Sequence, residues 1–422
     1  MAHSRISILR KQAVAAFEAA VARADPAAAL LEHLRRNPLP DTGMGGKTFL
    51  IAVGKAAPAM ANAALRQIKG QVNAICVTHR ENATEVAGAR VFRAGHPVPD
   101  EIGASAANAV IEMLAETSAQ DVVIALISGG GSALLPAPLA GISLADKQAL
   151  NAALLAGGLD ISSMNLIRQQ VSELKGGGLL RHAHPAKVVS YILSDVVGDD
   201  LRAIASGPTV APLGTPAQAL ELLLQNGVAH SVPKSVLNLL AAKQATTVPP
   251  AAENFLIGGN TQSLSAAAEY LDPTFKVIAA RSPLVGDVED AAQTIFSAMQ
   301  TASDTSVALL WGGETTVRIK GSGLGGRNQE LALRVAELAD MSPISRSWVF
   351  LSGGTDGRDG PTNAAGGIVD QSTLPRIRAA GVDPQALLAN NDSNAALTLS
   401  DDLLVTGPTG TNVADIQIAL IT

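Results

Sequence analysis

Residues 121–138 read DVVIALISGGGSALLPAP, an apolar run that breaks into three glycines between two serines and then into prolines. A run that is apolar at every position is typical of a strand buried on both faces of a parallel sheet. The glycines at its end either make a tight turn or offer backbone N–H groups to an anion. The stretch therefore predicts a buried strand, 122–127, followed by a loop, 128–132, that is a candidate binding site.

Similar apolar runs recur along the chain, and Ala/Leu-rich helical segments such as 56–68 and 328–338 separate many of them. Strands that alternate with helices indicate βαβ units and an α/β fold with mainly parallel, helix-flanked sheets. The other predicted strands are 48–53, 73–78, 187–193, 254–257, 276–279, 307–310 and 347–351.

A chain of 422 residues is too long for one ordinary core and predicts two or three domains. The segment 244–252 (QATTVPPAA) has no periodicity and carries two prolines, so it is the best candidate linker. We predict an N-terminal Rossmann-like domain at 1–243 and a C-terminal α/β domain at 253–422. The amphipathic N-terminus favours a first domain helix over a transit peptide.

The composition of the chain limits the kinds of partner that it can bind. The net charge of -6 argues against nucleic acid, which needs a basic face, and no apolar stretch is long enough for a membrane span. The single cysteine, Cys76, excludes a disulfide within the chain and fits the cytoplasm. We expect small-molecule substrates, and the oligomeric state, including a homodimer, stays open.

Glycine-rich motifs follow several of the predicted strands, each with a polar or acidic side chain close by. In open parallel sheets, ligands bind outside the carboxyl ends of the strands. One such loop is most simply a tight turn, but four together favour a binding site. The motifs are SGGGS (128–132), GGNT (258–261), GGET (312–315) and SGGTDGRDG (352–360).

The segment 321–326 (GSGLGG) matches the dinucleotide fingerprint G-x-G-x-x-G and precedes a predicted helix. No acidic residue ends the next strand, and Arg327 follows the loop directly. A cation at a helix N-terminus is opposed by the helix dipole, so we expect an anion beside Arg327. The loop is therefore interpreted as a phosphate or carboxylate clamp.

Lys55 poses the same question, because it follows a predicted strand and a glycine and opens a helix (AVGKAAPAM, 52–60). It is either a solvated surface lysine or a point charge for a transferred phosphoryl group. His96 lies in a proline-stiffened loop (RAGHPVPDE, 93–101) and is either a substrate contact or part of a plain surface turn.

Carboxylates follow the strand 187–193 in the sequence SDVVGDD, beginning with Asp195. Such acids suit Mg²⁺, which takes oxygen ligands, or one of them accepts a proton from a substrate hydroxyl. Glu314 and Asp356, each after a glycine pair, are further candidates.

Taken together, these motifs and WGGETTV, SELKGGGLL and LSGGTDGRDGPTNAAGGIVD closely resemble the class II glycerate kinases, the glycerate 2-kinase family. The likeness covers nearly the whole chain, and the part from about 307 onward resembles that family's MOFRL region. The resemblance implies transfer of a phosphoryl group from ATP to the 2-hydroxyl of D-glycerate, with Mg²⁺, in a cleft between two α/β domains. It also places the family's proposed catalytic lysine and arginine at Lys55 and Arg327.

The working hypothesis gives Asp195 the role of proton acceptor, and Asp195 and Glu314 that of metal ligands. Two alternatives remain: an NAD(P)H-dependent hydroxypyruvate reductase that uses 321–326 as its cofactor loop, and a non-catalytic phosphosugar sensor. The residues predicted to bind substrate or nucleotide are Ser128, Gly129, Gly130, Gly131, Ser132, His96, Asn260, Gly325, Gly326 and Asp356.

Overall fold

The computed structural model describes residues 2–242 and 248–422, which form two compact units. One unit is Pro26–Ile257, and the other combines Met1–Asp25 with Gly258–Thr422. Within the described residues, no helix is both long and apolar enough to span a bilayer.

The strands reproduce most of the predicted apolar runs, several of them to the residue. They are β1 (Thr48–Val53), β2 (Val72–His79), β3 (Arg90–Ala94), β4 (Val122–Ile127), β5 (Lys187–Leu193), β6 (Glu253–Gly258), β7 (Lys276–Ala279), β8 (Leu284–Asp287), β9 (Val307–Thr316), β10 (Trp348–Gly354), β11 (Gly366–Asp370), β12 (Leu403–Leu404) and β13 (Asp415–Ile421).

The α-helices lie between and around these strands. They are α1 (Ala2–Arg23), α2 (Pro26–Arg36), α3 (Ala57–Leu65), α4 (Glu101–Ala115), α5 (Gly131–Leu134), α6 (Leu144–Ala156), α7 (Ile161–Gln169), α8 (Gly178–Ala183), α9 (Pro216–Gln225), α10 (Lys234–Ala241), α11 (Asn260–Leu271), α12 (Val288–Thr301), α13 (Arg327–Met341), α14 (Thr373–Ala379), α15 (Pro384–Ala389) and α16 (Ser393–Leu399).

The unit Pro26–Ile257 contains a sheet with the strand order β3-β2-β1-β4-β5-β6. The pairings from β3 through to β5 are all parallel, and every residue of β1 and β4 is buried. This is the Rossmann strand order, so the predicted α/β fold is confirmed in this unit. Strands β2 and β3 lie on one side of β1, whereas β4 and β5 lie on its other side, so the strand order reverses between β1 and β4. The carboxyl ends of the strands at such a point are the expected ligand site.

The second sheet has the order β12-β11-β10-β13-β9-β7, with β8 paired to β9. It is α/β as predicted, but its strand directions differ from the mainly parallel prediction. The last strand, β13, lies antiparallel between β9 and β10, and β11 is antiparallel to β10. Alternate residues of β9 pack into two cores on opposite faces, for example Leu309 and Leu310. Because both faces are buried, antiparallel strands here carry the continuous apolar pattern that favoured a parallel sheet.

Helix α1 belongs to the same unit as the C-terminal sheet. Its buried side chains, such as Leu9, Ala13 and Phe17, share a core with α11, β10 and β13. The N-terminal helix is thus a domain helix, as predicted. The predicted boundaries, 1–243 and 253–422, follow the order of the sequence, whereas the compact units group residues from both ends of the chain. Residues 244–247 of the proposed linker 244–252 lie outside the described residues.

Candidate active site

The loops after β1 and β4 lie against one another at the reversal point of the first sheet. Gly54, which has φ 125°, leaves no room for a side chain, since a Cβ would lie 2.2 Å from Ser128 Oγ. The N–H of Lys55 donates to the carbonyl of Gly129 at 2.9 Å, and the N–H of Ser128 donates to the carbonyl of Val53 at 2.9 Å. Backbone hydrogen bonds therefore fix the motif 52–60, which contains Lys55, against the glycine-rich motif 128–132.

Ser128 is an internal part of this junction. Its side chain is buried, and its hydroxyl accepts a hydrogen bond from the N–H of Ala56 at 3.1 Å, at the start of α3. It thus stabilises a helix N-terminus that has no side-chain cap of its own. Of the residues predicted in 128–132, Ser128 has the clearest structural function.

Gly129 and Asp195 are in direct contact. A Cβ on Gly129 would lie 1.9 Å from Asp195 Oδ2, so only glycine lets this carboxylate, just after β5, reach the loop after β4. Burial raises the pKa of Asp195, and the positive charge of Lys55 opposes this shift. The structure thus brings together three predicted residues: a lysine, a carboxylate with raised proton affinity and a glycine-rich backbone.

Gly130 is where His96 and Lys55 meet. Gly130 has φ 82°, and a Cβ there would lie 3.1 Å from His96 Cδ2 and 3.3 Å from Lys55 Cγ. Loss of hydration, together with the positive charge of Lys55, lowers the pKa of His96, which favours the neutral ring near pH 7. Lys55 and His96 both line a cavity of about 630 Å³. The loop 93–101 is therefore placed beside Lys55, as a substrate contact requires.

Ser132 lies farther into the same unit. Its hydroxyl is 2.9 Å from that of Ser206, which in turn donates to Asn165 at 2.9 Å. Gly131 begins the short helix α5, where a Cβ would lie 2.9 Å from Ala205 Cβ. These contacts fix the loop 128–132 against the segment after β5. We call the predicted residues of this unit the Lys55 group. They are Lys55, His96, Asp195 and the five residues 128–132.

Arg327 stands at the start of α13 in the other unit, and its expected anionic partner is a protein carboxylate. Arg327 donates to Asp415 through Nε at 2.6 Å and through Nη2 at 2.9 Å. Its Nη1 also lies 2.9 Å from Glu314 Oε1. Burial works to lower the pKa of Arg327, but the hydrogen bonds and charge of Asp415 outweigh it and raise the pKa. Asp415, which is fully buried, was not predicted from the sequence.

The glycines of 321–326 are explained by close packing within this unit. A Cβ on Gly325 would lie 2.1 Å from Ser393 Oγ, and one on Gly326 would lie 2.3 Å from Asp359 Cγ. Asp359 accepts hydrogen bonds from the N–H groups of Asn328 at 3.1 Å and Gln329 at 2.8 Å. These are the amides of α13 that a dinucleotide phosphate would use. The carboxylate of Asp359 therefore occupies the position that the fingerprint interpretation reserved for a cofactor.

The remaining predicted residues of this unit lie close to β9 and β13. Asn260 donates to the carbonyls of Val413 and Asp415, both at 2.9 Å, and its amide packs on Gly312. Asp356 accepts from the N–H of Arg358 at 3.0 Å. The motif GGET was predicted as a turn after a strand, but β9 continues to Thr316, so Glu314 is a strand residue. Its half-exposed carboxylate is the part of this group open to solvent.

Among residues 2–242 and 248–422, no three His, Cys, Asp or Glu side chains are gathered in a way that could hold a metal ion. Asp200, from the acidic run after β5, is bound to Arg202 at 2.8 Å. Asp195 is in no ion pair that the structure describes, and its carboxylate lies against Gly129 of the glycine-rich loop, where it is available to a ligand.

Comparison with known proteins gives two family matches. Residues 12–241 match the family described as a domain of unknown function, DUF4147, and residues 307–415 match the MOFRL family. The first match alone covers more than half of the chain.

Individual relatives agree over almost the full length. The D-glycerate 2-kinase of Thermotoga maritima is 40% identical over 89% of this chain and 91% of its own. A chain of Agrobacterium vitis with the provisional name hydroxypyruvate reductase is 38% identical over 89% of this chain and 100% of its own. The crystal structure of the glycerate kinase from Thermotoga maritima superposes with a TM-score of 0.90, at 37% identity, over 99% of this chain and 100% of that one.

Proposed function

Because the chain belongs to the glycerate 2-kinase family, with its DUF4147 and MOFRL regions, we propose that it phosphorylates D-glycerate at the 2-hydroxyl, with ATP as the phosphoryl donor. The observation that carries the proposal is the contact of Lys55, Asp195 and the glycine-rich loop at the carboxyl ends of β1, β4 and β5. Phosphoryl transfer requires positioning and charge neutralisation more than covalent chemistry, and this group supplies both.

Lys55 is the proposed cation for the transferred phosphoryl group. Its backbone is fixed by bonds from its N–H to Gly129 and from Asn82 Nδ2 to its carbonyl, at 2.9 and 3.2 Å. Its ammonium has no carboxylate within 4.0 Å among the described ion pairs and lines an open cavity. The backbone of Lys55 is therefore fixed, while its flexible side chain can place the ammonium beside the phosphoryl group during transfer, as phosphate-binding lysines do.

Asp195 is the proposed acceptor of the proton from the 2-hydroxyl. A carboxylate whose pKa is raised by burial is a stronger base than an ordinary aspartate. Arg327 is the second proposed cation for the phosphates. Asp415 fixes its guanidinium from the buried side, and Glu314 holds Nη1 from the exposed side.

Magnesium would enter with the ATP phosphates and neutralise part of their charge. Mg²⁺ in such enzymes keeps several waters and takes only one or two carboxylates from the protein. Asp195 and Glu314 remain the proposed ligands, and the oxygen donors present are of the type that Mg²⁺ prefers.

The experiment is direct. Purified protein is incubated with ATP, Mg²⁺ and D-glycerate, and phosphorus NMR is expected to show 2-phosphoglycerate. Appearance of the 3-phosphate, or of free phosphate alone, would contradict the proposal. A parallel incubation with hydroxypyruvate and NADH or NADPH, without ATP, tests the reductase alternative. We expect no loss of NAD(P)H absorbance, since Asp359 occupies the amides of α13 that the cofactor would need.

A further inference from the structure

A second cavity of the unit Pro26–Ile257 adjoins the one that contains Lys55. It has a volume of about 300 Å³, and His96, Pro97 and Pro99 line both cavities. The residues that line this cavity come from the loop 93–101, the loop 128–132, α6, α7 and the segment before α8. They include His96, Gly130, Ser132, Lys147, Arg168 and Lys175.

Three of these side chains are basic, and each donates only to neutral acceptors. Lys147 donates to the carbonyl of Val171 at 3.0 Å, and Lys175, only 4% exposed, donates to the carbonyl of Ser132 at 2.6 Å. Arg168 donates to the side-chain oxygen of Asn151. Within 2–242 and 248–422, none of the three is described in an ion pair with a carboxylate. Three basic side chains are therefore gathered in a largely desolvated cavity, and no described carboxylate serves as their counter-ion.

Such an arrangement is unfavourable unless an anion completes it. Burial lowers the pKa of both lysines, and the charge of Arg168 lowers each further, to about 7 for Lys147. A buried cation without a partner is unfavourable, and a bound anion stabilises it through charge-assisted hydrogen bonds. The paired N–H donors of one guanidinium, together with two ammonium groups, suit a carboxylate or a phosphate.

We propose that Lys147, Arg168 and Lys175 bind the carboxylate of glycerate, an inference that rests on the proposed function. Apolar walls from Leu150, Leu155 and Val171 suit a compact acid better than a triphosphate. His96 and Lys55 both approach Gly130, so an acid anchored here extends its hydroxyl carbons past His96 towards Lys55. The loop 128–132 is then left to the phosphates, and the cluster of three cations selects an acid over a neutral polyol.

Kinetics of Lys147→Met and Arg168→Met test the assignment, with Lys69→Met, an exposed lysine of the same unit, as the matched control. Loss of one charged hydrogen bond is worth on the order of 10–100-fold in affinity. We expect the KM for D-glycerate to rise by this factor while the KM for ATP and the melting temperature stay close to wild type. An unchanged KM for glycerate, or a rise in the KM for ATP alone, would overturn the proposal.

Calorimetric titration separates this proposal from the proposed function. Wild-type protein is titrated with D-glycerate, with glycerol, which lacks the carboxylate, and with inorganic phosphate. Binding of glycerate but not of glycerol, lost in both variants, supports the carboxylate site even if no phosphoglycerate is formed. Tight binding of phosphate in place of glycerate, or equal binding of glycerate and glycerol, would reject the carboxylate site even in an active kinase.

Discussion

The guanidinium of Arg327 is held by the fully buried carboxylate of Asp415, through two hydrogen bonds of 2.6 and 2.9 Å that span 88 residues of sequence. The pair connects the first residue of α13 to the first residue of β13. A cation at a helix N-terminus is unfavourable by itself, and Asp415 supplies the negative charge that makes the position tolerable. Asp415 therefore positions Arg327, while Glu314 binds it from the more exposed side.

Asp415→Asn is expected to weaken both stability and turnover. Removing one partner of a buried pair costs about 3 kcal/mol, because the buried side of the Arg327 guanidinium then has no counter-charge and only the half-exposed Glu314 remains. The measurements are chemical denaturation and the kcat for glycerate phosphorylation. Glu314→Gln is the control, since its half-exposed pair should contribute less than about 1 kcal/mol. Equal destabilisation by the two variants would contradict the distinction between them.

Lys55→Met should lower kcat on the order of 10²–10³-fold, the usual cost of one preorganised charge contact in the transition state. Since no described carboxylate pairs with the ammonium, the melting temperature is expected to stay unchanged. Lys69→Met again serves as the control for loss of a lysine charge. A variant with near-normal kcat would show that Lys55 is a surface lysine, the simpler of the two interpretations that its sequence allows.

Asp195→Asn is expected to abolish most activity and yet to raise stability at neutral pH. The folded-state pKa of Asp195 is raised, so the folded protein binds more protons than the unfolded chain. Its stabilising contribution is present below the ordinary carboxyl pKa and is lost as the pH rises through the folded pKa. Asparagine removes this loss, so the melting temperature should rise at pH 7 and change little in acid. A lower melting temperature of Asp195→Asn at pH 7 would contradict the view that burial disfavours the ionised form of Asp195.

Much of the Lys55 group follows from sequence, and the reason is physical. The carboxyl ends of neighbouring parallel strands meet at one edge, so residues after β1, β4 and β5 must come together once the apolar runs are recognised. Lys55, Gly129 and Asp195 were predicted in this way, and β1, β4 and β5 match their predicted bounds to the residue.

Residues that act through long-range contacts could not be found by the same reasoning. Asp415 precedes an apolar run and has no motif around it, and its partner is 88 residues away. Asp359 lies in the motif 352–360, and only the packed structure shows that its side chain binds the amides of α13. Lys147 and Arg168 lie on the helices α6 and α7, where lysine and arginine are ordinary surface residues. Only the packed structure shows that they share a cavity.

Ser128→Ala separates a structural from a ligand-binding function for this hydroxyl. Loss of the bond to Ala56 leaves a buried N–H without an acceptor, which costs about 1–2 kcal/mol. We therefore expect a loss of stability in urea unfolding and a much smaller change in kcat than for Lys55→Met. A large loss of kcat at unchanged stability would instead show that the hydroxyl contacts the nucleotide or the acid.

Binding of glycerate at pH 8 should be accompanied by proton uptake. Lys147, with a pKa of about 7, is mostly neutral at this pH, and a carboxylate beside it restores the ammonium form. The charged and titratable groups facing it are Arg168, Lys175 and His96, and burial also lowers the pKa of Lys175. Calorimetry in buffers of different ionisation enthalpy measures the number of protons. Uptake should be smaller in Lys147→Met and unchanged in Lys69→Met, and affinity should fall as the pH rises above 7. An observed binding enthalpy that is the same in every buffer would mean that no proton accompanies the acid, and that Lys147 does not bind its carboxylate.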